Sequence, residues 1–166
     1  MNITEAIGAI SVSIDQAIPT VERLSEVDFS DNPKHIMKRL RNIMDKPVPT
    51  ERLLGLSNRI LAIAKHVDVD YKGIETDGQD RLEATIREVV SNAKALNRAV
   101  FSLHHTIYLF EGHNEEELSE EVMFEVGVMV DNIENYMCKT LDSVVLLEND
   151  PVLTLIQQMK YVLFGL

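Results

Sequence analysis

No tryptophan occurs among these 166 residues, and aromatic residues make up only 5 % of them. Aliphatic side chains and seven methionines must therefore fill whatever core forms, which suits helix packed on helix. Seven glycines and five prolines are too few for an all-β fold with its many tight turns. The single cysteine, Cys138, excludes an internal disulfide, and a reducing, cytoplasmic setting is expected. The first residues lack the basic patch and apolar run of a secretion signal. No uncharged apolar stretch reaches the roughly 18 residues that a membrane span needs. Bases are also scarce, 16 against 27 acids, and the net charge of −11 argues against general affinity for nucleic-acid phosphates.

What is present is helical periodicity and polarised charge. Leu82, Ile86, Val89, Ala93, Leu96, Val100, Leu103, Ile107 and Phe110 alternate in steps of four and three. That register predicts an amphipathic helix over 79–110 with one narrow apolar seam. Gly112 suits the left-handed position after it, and Asn114 with Glu117 reads as a capping box for a second long helix over 114–148. So short a link predicts an antiparallel hairpin. The second helix carries two apolar stripes: Val122, Val126, Met129, Ile133, Tyr136, Thr140, Val144 and Leu147, and Met123, Val130, Met137 and Leu141. Between Val122 and Val130 only Glu125 is charged, so this helix must be covered nearly all round.

Shorter helices are expected before the hairpin. One spans about 4–17, with Pro19 breaking or kinking it and a short continuation over 20–27. Another begins at Pro33, and a third runs from a Thr50 cap to Val67. Residues 68–78 read as a loop, and a last apolar helix follows Asp150-Pro151. The expected fold is all-α: one domain over 1–166, a bundle of about six helices centred on the hairpin. The hairpin cannot stand alone. Its seam offers about 1.5–3 kcal/mol per residue, less than the backbone entropy of ordering it.

Twelve acids against one base, Lys139, fall within residues 111–150, whereas residues 31–65 hold eight bases against three acids. Asp68, Asp70 and Gly73 match three positions of a calcium loop, but Lys72 and Gln79 stand where that loop needs oxygen ligands. Glu117, Glu120, Glu121 and Glu125 recur at helical spacing. The cluster resembles the magnesium-binding acids of all-α nucleotide pyrophosphatases of the MazG type, without their second acidic pair on a neighbouring helix. His35 and Lys38 have the His-x-x-Lys spacing of phosphotransfer bundles, but Arg39 replaces the usual glycine and His35 lies in the first turn of its helix. His104 and His105 project about 100° apart and do not share an ion easily. No nucleophile elbow or glycine-rich phosphate loop occurs.

The expectation is therefore a non-enzymatic adaptor, regulator or inhibitor, of phage or bacterial type, with another protein as partner and no cofactor or metal. Its contact surface is placed at Glu116, Glu117, Glu120, Glu121, Glu125, Phe124 and Val128, with mimicry of nucleic acid as one version. Surplus apolar surface predicts a two-fold homodimer. Lys34, Lys38, Arg39 and Arg41 form a second candidate, either a contact surface or a face laid against the protein's own acids. The alternative is a small helical enzyme or phosphotransfer protein using Glu117–Glu125 with magnesium, or His35.

Overall fold

The computed structural model describes residues 2–46, 51–71, 79–112 and 117–151, together with 153, 155, 158, 162 and 163. Regular structure among them is helical, without a strand. Five helices are delimited: α1 (Ile3–Ser25), α2 (Pro33–Asp45), α3 (Leu53–Tyr71), α4 (Gln79–Leu109) and α5 (Glu120–Glu148). The described residues from 151 to 163 also have helical backbone, but most of the expected last helix lies outside the described residues.

Four helices close into a ring. α1 packs on α3 and α5, and α4 packs on α3 and α5. The shorter α2 lies against this ring, touching α1, α3 and α4. Asn92 of α4 hydrogen-bonds the Lys139 carbonyl, while Thr106 meets the Met129 sulfur, so α4 and α5 run in opposite directions. α1 and α5 are likewise antiparallel: Ser25 Oγ donates to Glu134 at 3.0 Å, and Ser11 Oγ donates to Glu148 near the other end.

Periodicity explains the core. The α4 seam from Leu82 to Ile107 is buried at every heptad position, and Phe110 is half-buried at its end. On α5 the line Val126, Ile133, Thr140, Val144 and Leu147 is buried, as are Met123, Val130 and Met137. Thr140 enters this apolar surrounding because its hydroxyl donates to the Tyr136 carbonyl at 2.6 Å.

Several boundaries depart from expectation. α1 passes through Pro19 without ending. Proline frees the Asp15 carbonyl, but both residues are exposed, so water satisfies it, while Ala17, Thr20, Val21 and Leu24 hold the opposite face in the core. The two expected segments are thus one helix, and five helices are delimited among the described residues, most of the expected last one lying outside them. α3 continues to Tyr71 rather than ending at Val67, so Asp68 and Asp70 belong to a helix and not to a loop. Residues 72–78 and the Thr50 cap lie outside the described residues.

The start of α5 also moves. Ser119, not Asn114, is the N-cap, and its hydroxyl accepts from the Val122 backbone N–H at 3.2 Å. Leu118 is buried just before it, so the chain dips to the core before the helix can begin. Glu120 and Glu121 occupy the first turn, where the helix dipole favours acids. Ser119→Ala is expected to destabilise the fold by about 1 kcal/mol in urea denaturation. Gly112 adopts φ +79°, the left-handed backbone that lets the chain turn after α4.

Candidate functional site

The first surface lies at the start of α5. Phe124 is 74 % exposed and Val128, one turn on, is 40 % exposed. The expectation that residues 122–130 are covered nearly all round is therefore overturned. One side is buried through Met123, Val126 and Val130, and the other faces solvent. Two linked cavities flank Phe124, of about 300 and 270 Å³. Phe29 and Met123 line both, and Glu120, Gly127, Val128 and Asp131 complete the rims.

Phe29 is placed there by local turn chemistry. Asp28 Oδ1 accepts from the Ser30 hydroxyl at 2.7 Å and from the Ser30 backbone N–H at 2.9 Å. These bonds, the hydroxyl first, hold the Asp28 carboxyl below its ordinary 3.8. A group with a lowered folded pKa stabilises the turn above its unfolded value, and that contribution is lost as pH falls. A carboxyl titration followed by NMR is expected to place the Asp28 midpoint below 3.8.

Glu120, Glu121 and Glu125 are exposed around Phe124 on α5. Glu117 is not on that helix; it sits in a turn before the Ser119 cap. The helical spacing that united the four acids is thereby broken. Glu116 lies outside the described residues. No group of three or more His, Cys, Asp or Glu side chains among the described residues is placed to hold a metal ion.

The basic candidates divide. Lys34, Lys38 and Arg41 share one face of α2 and line a cavity of about 290 Å³ against Ile107, Phe110 and Leu118. Arg41 pairs with Glu111 across the interface and with Asp45 at 3.6 Å on its own helix. Lys34, Lys38 and Arg39 make no ion pair with a described residue. Arg39 does not line this cavity; it is exposed elsewhere on α2. The reading of a basic face laid against the protein's own acids thus fits Arg41. His35 is exposed in the first turn of α2, with Nδ1 3.8 Å from Asp31.

Two further surfaces were missed from sequence. On α4, Phe101 is 56 % and Tyr108 71 % exposed, with His105 between them and Leu109 beside them. The Phe101 and His105 rings stack with centroids 6.0 Å apart. A signal for this stripe was available: residues 94–110 contain no acid in a chain with 27 of them. The second is a groove between α1 and α5, lined by Ile18, Val21, Glu22, Ser25, Glu26, Glu134, Met137, Cys138 and Leu141. No sequence signal brings these together, because they sit on helices more than a hundred residues apart.

Neither family models, nor curated proteins, nor solved structures match this chain.

Proposed function

We propose that this protein is a non-enzymatic interaction module whose acidic, apolar-centred patch at the start of α5 binds another protein. The observation that carries this reading is Phe124, 74 % exposed within a rim of Glu120, Glu121, Glu125 and Asp131. An exposed aromatic side chain on a rigid helix gains about 1.5–3 kcal/mol when covered, and aromatic anchors dominate interface energies. The carboxylate rim selects a partner with basic side chains around an apolar pocket, and it speeds encounter with that partner. Apposing the patch to itself would bring like charges together, which disfavours a homodimer through this face.

A photo-crosslinking phenylalanine analogue at position 124 tests the reading in the native host. A single dominant protein adduct is expected, absent when the analogue replaces exposed Glu88. No adduct, or an adduct with nucleic acid, would overturn it. Phe124→Ser is expected to remove the complex while leaving thermal stability within about 0.5 kcal/mol, since the side chain is already in water.

A second reading, self-association, is favoured by a separate observation. The exposed stripe of Phe101, His105, Tyr108 and Leu109 offers a second copy an apolar surface on a segment, 94–110, that holds no acid.

A further inference from the structure

The groove between α1 and α5 has the features of a receptor for a helix. Its floor is apolar, formed by Ile18 and Val21 on one side and Met137 and Leu141 on the other. Its volume is about 420 Å³. Glu22 and Glu26 stand on the α1 rim and Glu134 on the α5 rim, and among the described residues no lysine, arginine or histidine lines it. Ser25 ties the two walls at one end through Glu134, and Ser11 ties them near the other through Glu148. The two walls are packed and hydrogen-bonded to each other before any ligand arrives, which lowers the ordering cost of binding. Cys138 lies exposed within the groove.

We propose that this groove docks a basic amphipathic helix of a partner protein. The occupant follows from charge and shape. Two antiparallel helices with a shallow apolar trough between them accept a third helix by ridge-into-groove packing. Glu134 to Leu141 spans two turns of α5, about 10 Å, which matches apolar anchors at i, i+3 or i+4, and i+7 of the incoming helix. Lysines or arginines flanking those anchors meet carboxylates on both rims. A nucleic acid is repelled by the same carboxylates. The basic helix of a second copy is not the occupant. That helix, α2, has its apolar stripe of Ile36, Met37, Leu40, Ile43 and Met44 buried in its own core. Glu134, at the near end of the groove, lies roughly 15 Å along α5 from Phe124, so substitutions at the two sites test different surfaces.

The test uses the intact protein and a synthetic peptide about four turns long, with leucines at helical anchor spacing and lysines elsewhere. A matched peptide with glutamates in place of the lysines is the control. Binding is followed by fluorescence anisotropy, and occupancy by the rate at which iodoacetamide alkylates Cys138, the one thiol in the chain. The lysine peptide is expected to bind and, at saturation, to slow alkylation about tenfold, while the glutamate peptide does neither. Glu22→Lys with Glu134→Lys is expected to weaken binding about 30-fold or more. Glu120→Lys with Glu125→Lys, an equal charge change at the other surface, is expected to change it less than about threefold. Phe124→Ser is expected to leave it unchanged. Absence of binding, unaltered alkylation at saturation, or equal losses in the two charge variants would each overturn the proposal.

Discussion

Val100→Asp is expected to unfold the protein or to remove most of its stability. Val100 is fully buried in the middle of the α4 seam, one helical turn from both Leu96 and Leu103, which are buried as well. A carboxylate there would lose its hydration without a cation to compensate, at a cost of several kcal/mol. Total stability for a domain of this size is about 5–15 kcal/mol, so one such change consumes a large share. Val100→Ala separates packing from charge: removing two methyl groups should cost about 2 kcal/mol. Burial would raise the new carboxyl's pKa. The destabilisation is then greatest above that raised value and relaxes as pH falls and the group takes up a proton. Urea denaturation followed by circular dichroism at pH 7 and pH 5 reads both effects. A Val100→Asp protein as stable as the parent would show that the seam is not a packed core.

Phe101→Asp combined with Tyr108→Asp is expected to abolish self-association without weakening the fold. Both side chains already lie largely in water, 56 % and 71 % exposed, so the monomer loses little. In a two-fold contact each substitution occurs twice, and four carboxylates would replace four aromatic rings at the centre of the interface. Loss of the rings and gain of like charges together are expected to weaken association by at least about 100-fold, or 2.7 kcal/mol. Sedimentation or light scattering at micromolar concentration should show the parent at twice the monomer mass and the double variant at the monomer mass. A parent that is monomeric at every concentration would end the self-association reading and leave the Phe124 surface untouched.

The contrast between α4 and α5 shows what a linear pattern can and cannot carry. The α4 seam was legible because its eight buried positions, Leu82 to Ile107, keep one period over many turns, and nothing but a packed face produces that. The start of α5 was misplaced because Asn114 and Glu117 satisfy the capping pattern locally, whereas Leu118 is drawn into the core and defers the helix to Ser119. The break that Pro19 suggested does not occur, for a related reason. Inside a helix proline costs a hydrogen bond, but the cost is small on the wet side of a helix whose other side is buried. Phe124 and Val128 were marked as contact residues from apolar excess, although apolar content alone does not say which of several stripes meets solvent. The α1–α5 groove could not be read at all, since its walls are juxtaposed only by closure of the ring.

That closure sets the order in which the molecule is held together. α3, α4 and α5 each pack on a neighbour in sequence, so their contacts form across short loops. The α1–α5 seam joins Ser11 to Glu148, 137 residues apart, and so closes a loop that takes in most of the chain. Closing that loop costs more chain entropy than forming the local contacts, so it follows them in folding. The seam is also only partly filled, because the groove runs along it. A helix seated there would act as a fifth stave across the joint. Its binding energy would add to the stability of the whole ring, and α1 amides would exchange with solvent more slowly when the groove is occupied than when it is empty.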